Sequence, residues 1–514
     1  MVARNSAAGP FVIFDLETNG IGGDIIEIGA VLCSGPDVAD EFESLVHTEE
    51  PMQTDTARLT DLSDAGLVDS PSLRDALLRF GDFVGNRPLI AHNGFGFDFR
   101  KLDEAADSVG LDPLPGTRLD TLELAHLVFP RAGEGMIRDS QGGRPPPGRK
   151  LEHLANWFRL EYSVLHRALN DSRLTHRVLM AMIEVLNRDE PSRRLQRWIL
   201  ARGDHPWSGF IEVPANPPDL ADVVPLPPKT RREEPSGQFD IPTLERAFQA
   251  GGVLMAEREP RLPQMQMAQA VATALSNGGQ HLIEAPTGTG KTLAYVVPAI
   301  EYARSSGRTV AVSTFSHVLQ NQILATLEEL EQEIGQFNWV LLKGRHNYVN
   351  LEALEAEFDE DPPDVDTALA LAVICRWVAE TPTGDWEDLR TPAIDGRVRV
   401  FNHLRWKLRV EYPPGPVLTA LDERDFYRRA REAIGNAHIA VLNHALLIVS
   451  DYWQTHAKHA VIDEAHQLED AATSALSEEV GSLYLDDLLQ RRSQFLRSWR
   501  DPPPQKGPSV VGTR

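Results

Sequence analysis

The sequence predicts two α/β units in one chain, and three observations carry that reading. Short apolar runs alternate with segments of helical period in both halves. Eight prolines between Pro206 and Pro235 divide the halves, and so dense a run disfavours a regular core element. The composition, 42% apolar and 25% charged, is that of ordinary folded protein.

Taken in order, the first unit covers 1–190. Phe11–Leu16 and Ile25–Leu32 read as strands, with Leu89–Ala91 a short third. Leu73–Phe83, Leu151–Arg159 and Asp171–Leu186 carry helical periodicity. Residues 191–258 read as a partly extended linker with a short helix at Ile241–Ala250. The second unit, 259–480, offers five buried strands: His281–Glu284, Arg308–Ser313, Trp339–Leu342, Ile439–Leu442 and Ala460–Ile462. Glu352–Asp366 is acidic and reads as solvated surface. Residues 481–514 would begin a further, truncated region, with a polar tail at Pro502–Arg514.

Length and charge exclude several classes. At roughly 150 residues per domain, 514 residues make about three domains. No apolar run approaches the roughly 20 residues of a membrane helix, and MVARNSAAGP lacks the apolar core of a signal peptide. Cys33 and Cys375 alone make neither a disulfide framework nor a four-thiolate metal site, and point to a reducing, cytoplasmic compartment. The 51 Lys+Arg against 75 Asp+Glu give a formal net charge of −24. That balance argues against a protein that coats DNA. A nucleic-acid partner would need a local basic surface or a metal-mediated contact.

Asp15 and Glu17 stand two residues apart at a strand end, so the strand period aims both carboxylates at one face. Like charges so close persist best with a cation between them, although acidic pairs at strand ends also occur as plain surface. Asp98, in AHNGFGFDFRKL, and His166 and Asp171, in HRALND, extend the set. On one continuous helix, His166 and Asp171 would lie about 140° apart. They converge only if His166 precedes the helix and Asp171 sits in its first turns. Carboxylate oxygens suit Mg²⁺ or Mn²⁺, and two ions about 4 Å apart clamp the attacking and leaving oxygens of a phosphodiester.

This set resembles the DEDD exonuclease superfamily, in the histidine-bearing branch that includes the proofreading subunit of bacterial replicative polymerase. The resemblance covers about 11–186, with weaker matches at Asp120-Thr-Leu-Glu-Leu-Ala and Leu151-Glu-His-Leu. It implies a ribonuclease H-like fold and 3′→5′ removal of nucleotides from single-stranded ends. It implies that Asp15, Glu17, Asp98 and Asp171 hold the ions and that His166 takes the proton from the attacking water. Asn93 to Asp98 is one residue longer than the family pattern. Residues 131–177 are locally basic, 9 Lys+Arg against 5 Asp+Glu. Arg144, Arg149, Lys150, Arg167 and Arg173 either admit substrate phosphates beside His166 or are solvated arginines; both readings stand.

In the second unit, Ala285-Pro-Thr-Gly288-Thr-Gly290-Lys291-Thr292 lies between an apolar run and a helix. Backbone amides of such a loop cradle phosphates, Lys291 neutralises the β/γ charge and Thr292 holds Mg²⁺. Val461-Ile-Asp463-Glu464-Ala-His466 supplies a partner: Asp463 for the Mg²⁺ shell and Glu464 for the attacking water. These residues resemble a DEAH-box helicase of the DinG/XPD family, over about 258–480, which implies a RecA-like motor fold. Gln264 falls where the family contacts adenine, and Leu319-Gln-Asn-Gln322 where it contacts a DNA strand.

Two departures follow from the resemblance. Many relatives hold an iron–sulfur cluster on four cysteines in the insert, about 346–440 here, whereas Asn350 and Asp425 occupy two of those positions and Cys375 is the one thiol. The sequence runs 48 residues past His466, shorter than the second motor domain with which the resemblance expects the ATP site to be closed, so ATP turnover by this stretch alone is not expected. The expectation is a metal-dependent 3′→5′ exonuclease on single-stranded DNA or RNA, joined to an ATP-binding helicase half in DNA repair or replication. The alternatives are a 5′→3′ helicase in which the exonuclease is auxiliary, and a nucleotide-binding DNA tether without turnover.

Overall fold

A computed structural model describes residues 9–477, apart from 21, 132–145, 163–165, 228–231, 233, 236, 238–240, 250, 256–257, 361–362, 390–397 and 413–414. Arg144 and the 481–514 region therefore lie outside the described residues. The chain divides into two compact units, one made of Met1–Thr230 with Gly344–Ala433, the other of Arg231–Lys343 with Ile434–Arg514.

The first unit is built on a five-stranded sheet of order β3-β2-β1-β4-β5. Its strands are β1 (Phe11–Thr18), β2 (Ile25–Ser34), β3 (Asp37–Leu45), β4 (Leu89–Ala91) and β5 (Arg118–Asp120). β1, β2 and β3 are antiparallel, while β4 and β5 run parallel to β1. Its helices are α1 (Thr54–Thr60), α2 (Asp64–Leu67), α3 (Leu73–Val84), α4 (Asp98–Ser108), α5 (Thr121–Val128), α6 (Leu151–Trp157), α7 (Ala168–Leu186), α8 (Pro191–Arg202) and α9 (Leu220–Val223). Val12, Phe14, Leu16, Ile28 and Ala30 pack against Phe80 and Val84 of α3 and Phe99 and Leu102 of α4. α7 packs on β1 and β2. It comes so close at Gly29 that a Cβ there would stand 2.0 Å from the Leu169 nitrogen.

The segment 191–258 is not a linker throughout. Pro191 occupies the first turn of α8, where a missing N–H costs nothing, and Leu195, Ile199 and Leu200 of that helix are buried. Pro206 opens a short 3₁₀ turn that buries Trp207. The insert also differs from the sequence reading. Residues 344–433 belong to the first unit, not to the second that brackets them in sequence. They form α14 (Leu351–Ala356), α15 (Val365–Glu380), α16 (Val398–Lys407) and α17 (Phe426–Ala433). α15 is buried continuously from Ala368 to Cys375 and packs on α8 and α5, so an apolar helix finds its partners across a long stretch of sequence.

The second unit carries a four-stranded parallel sheet, β7-β8-β6-β9. Its strands are β6 (Thr309–Thr314), β7 (Trp339–Leu341), β8 (Ile439–Asn443) and β9 (Ala457–Ile462), with helices α10 (Ile241–Ala247), α11 (Leu262–Asn277), α12 (Lys291–Ser306), α13 (His317–Ile334), α18 (His444–Val449) and α19 (Leu468–Leu476). Tyr295, Val296 and Ile300 of α12 join Val310, Val312, Ile439 and Val441 of the sheet in its core. His281–Glu284 is not a strand: it pairs with no described strand, and Leu282 is 94% exposed.

Candidate functional site

The pleat of β1 separates its residues by face. Leu16 is buried, and Asp15 and Glu17 project to the other side, each half-buried. The amide between them does chemical duty too, because Leu16 N–H donates to Asp98 Oδ1 at 3.2 Å. Asp98 is the first residue of α4 and is 3% exposed. The parallel pairing of β4 with β1 delivers the turn that carries it.

His166 lies just before α7 with φ near 70°, and Asp171 falls in the helix's first turn. The two therefore meet, as the 140° argument requires of a loop-borne histidine. His166 N–H donates to Asp171 Oδ2 at 2.9 Å. Ligand atoms of Glu17, His166 and Asp171 all lie within 4.8 Å of one another.

Burial, reinforced by neighbouring carboxylates, raises the proton affinity of Asp15, Glu17, Asp98 and Asp171. Burial, then Asp98, Asp171, Glu17 and Glu27, hold Asp15 well above the ordinary carboxylate range. Burial, then Asp171 and Glu27, push Glu17 to about 8. Burial likewise lifts Asp98 and Asp171, against the backbone hydrogen bonds that lower them. Asp171 Oδ1 is buried without a hydrogen-bond partner, an unmet acceptor in an all-oxygen and imidazole donor set. Such a set fits a hard divalent cation.

One acid escapes sequence reasoning. Glu27, fully buried on β2 opposite Glu17, accepts from Arg167 Nη2 at 2.9 Å and from Ala168 N–H at 3.2 Å. It thereby fastens the start of α7 behind the site. Its signal was a lone charge inside the apolar run IIEIGAV. The flanking arginines are engaged. Arg167 holds Glu27 and Glu43, Arg173 holds Glu41, and Arg149 binds the Phe129 and Pro130 carbonyls. These pairings tie Arg149, Arg167 and Arg173 to groups of the unit itself, an arrangement neither of the two readings of that segment foresaw.

In the second unit, Gly288 and Gly290 both take positive φ, at 78° and 81°, leading into α12. Gln264, buried on α11, donates to the Gly290 carbonyl at 3.0 Å and braces the loop from behind. Lys291 Nζ meets Glu464 Oε1 at 2.6 Å, which lowers the Glu464 pKa. Tyr295 donates to Asp463 Oδ2 at 3.1 Å and also bonds the Thr292 side chain. Lys291, Thr292, Asp463 and Glu464 thus share one end of the sheet, beside the glycine loop. Cys375 is buried in α15, and burial pushes its thiol pKa up.

Comparison with known proteins agrees in both units. Residues 12–179 match the exonuclease family model RNase_T, and residues 265–365 match the DEAD/DEAH box helicase model. The "3'-5' exonuclease DinG" of Bacillus subtilis (strain 168) is 27% identical over 516 residues, covering 94% of this chain and 52% of that protein. That of Staphylococcus epidermidis is 23% identical over 493 residues, covering 91% and 51%. The chain spans about half the length of the curated relatives it matches. A solved Exonuclease X bound to 5′ overhanging duplex DNA aligns with 34% of this chain and 91% of its own, at 22% identity and a TM-score of 0.27, too slight a likeness to bear on function.

Proposed function

We propose that this chain, an N-terminal exonuclease domain followed by a DEAD/DEAH box helicase domain, removes nucleotides from the 3′ ends of single-stranded DNA or RNA with Mg²⁺ or Mn²⁺. The observation that carries the reading is the meeting of Glu17, His166 and Asp171 beside Asp15 and Asp98, with one Asp171 oxygen left unmet. Asp15, Glu17, Asp98 and Asp171 would hold the metal. When bound, two such ions would polarise the phosphodiester and stabilise the attacking and leaving oxygens. The exposed His166 side chain can accept the proton of the attacking water, while its amide stays tied to Asp171.

The test is digestion of 5′-labelled single strands, DNA and RNA, with each metal. A ladder shortening from the 3′ end is expected. Asp15→Asn or Asp171→Asn should reduce it more than about a hundredfold, and His166→Ala by about 10²–10⁴. Digestion that survives Asp15→Asn combined with Asp171→Asn would sink the assignment.

The second unit we read as an ATP site with Mg²⁺, on the glycine loop, Lys291, Thr292, Asp463 and Glu464. Lys291→Ala should abolish binding of a fluorescent ATP analogue. Unchanged binding would refute this half of the reading. We also read the insert as folding without an iron–sulfur cluster, because Asn350 and Asp425 cap its helices.

A further inference from the structure

The turn between β4 and α4 carries Asp98, and something must hold it. From the end of β4 the chain passes His92 and then Asn93, whose φ of 60° is left-handed. Asn93 O accepts from Gly96 and Phe97, and Gly94 O accepts from Phe99, so the turn closes on itself before α4 begins. α4 has no side-chain cap of its own. Two amides in this turn are instead satisfied from β5. Asp120, 3% exposed, accepts Asn93 N–H at 2.8 Å on Oδ1 and Phe95 N–H at 3.2 Å on Oδ2. The same Oδ1 caps α5 through Leu122 N–H at 2.8 Å.

We propose that Asp120 is a positioning residue of the nuclease site: its carboxylate fixes the turn 92–97 and so seats Asp98 against the Leu16 amide. Two features separate this from ordinary capping. A helix cap needs one oxygen and one helix amide, whereas Asp120 uses both oxygens and reaches across to a neighbouring strand's turn. And the cross-strand register sets it directly beside Ala91, the last residue before the turn. A carboxylate is the one side chain of this size that offers two acceptors and no donor. An asparagine would present an NH₂ to one of the amides. The inference rests on the nuclease reading, since Asp98 matters here as a candidate metal ligand.

The experiment is Mn²⁺ binding to the full chain without nucleic acid, by calorimetry, for the wild type, Asp120→Asn, Asp120→Ser and Asp98→Asn. Far-ultraviolet circular dichroism confirms folding. Serine caps helices well but is too short to satisfy the turn, so Asp120→Ser serves should Asp120→Asn fail to fold. Loss of Mn²⁺ affinity by about 10–100-fold in a folded Asp120 variant is expected, the range for residues that orient metal ligands. Wild-type Mn²⁺ affinity in a folded Asp120 variant overturns the proposal, even if its melting temperature falls. If Asp98→Asn also binds Mn²⁺ normally, the nuclease reading fails with it; if Asp98→Asn alone loses the metal, only the role of Asp120 falls.

Discussion

His92 shows how one side chain can tie acid stability to the site's surroundings. Its Nδ1 meets Thr121 Oγ1 at 2.8 Å, and its ring also bonds the Arg149 backbone. Burial, ahead of that bond, pushes the imidazole down to about 4. The sign follows. Below the unfolded value near 6.5, the unfolded chain takes up a proton that the folded one refuses, so stability falls as pH drops from 6.5 toward 4. The loss approaches about 1.4 kcal/mol per pH unit within that window. His92→Gln should flatten the decline, read as a smaller change in urea midpoint between pH 7 and pH 5; an unaltered decline would exclude His92 as its source. At Gly29 the prediction is steric. Alanine would drive into the backbone of Ala168 and Leu169, costing at least about 3 kcal/mol, measurable in the same urea titration. At this scale the sequence was informative where chemistry and period coincide. Asp15 and Glu17 follow from strand alternation, and Asp171 from helical phase. Asp120 was visible only as a motif, because two of its amide partners, Asn93 and Phe95, come from distant backbone.

Among elements, the reliable readings were those with a clean apolar period, such as β1, β2 and α7. β3 was missed because Asp37–Leu45 buries only Phe42 and Ser44 along its exposed length, which leaves no apolar signal. β5 is three residues long, too short for any period. His281–Glu284 erred in the opposite direction, since an apolar triplet forms a strand only when a neighbour supplies hydrogen bonds. In the insert, two polar side chains cap helices. Asn350 Oδ1 accepts Ala353 N–H at the start of α14, and Asp425 Oδ1 accepts Arg428 N–H at the start of α17. Each cap is worth about 1 kcal/mol, and neither needs a metal cluster, in keeping with the proposed cluster-free insert. Protein produced under iron depletion should therefore melt at the same temperature as protein from iron-replete cells. A lower melt, or visible absorbance lost with the iron, would contradict that. Between α5 and α15, buried Gln196 donates to the Leu127 and Ala372 carbonyls at 2.9 and 3.0 Å. Gln196→Leu should cost about 1–3 kcal/mol, checked by the urea midpoint.

For the whole molecule, the division into units departs most from the sequence reading, and for a physical reason. Apolar period identifies a buried face but not the surface that buries it. α15 therefore looked like part of the unit that encloses it in sequence, although its partners lie on α5 and α8. A fragment ending near residue 230 would expose the faces of those helices that α15 covers. It should aggregate or bind a hydrophobic dye, and a fusion of 1–230 to 344–433 should not. A soluble, monomeric 1–230 fragment, judged by light scattering, would refute this. The arrangement also has a consequence in time. α8 ends at Arg202 and α15 begins at Val365, so the ribosome adds roughly 160 residues between them. At about 5–20 residues per second, the nascent first unit waits on the order of ten to thirty seconds, half-clad, for the helix that completes it. Synthesis of this chain thus includes an interval in which a greasy surface is presented to the cell.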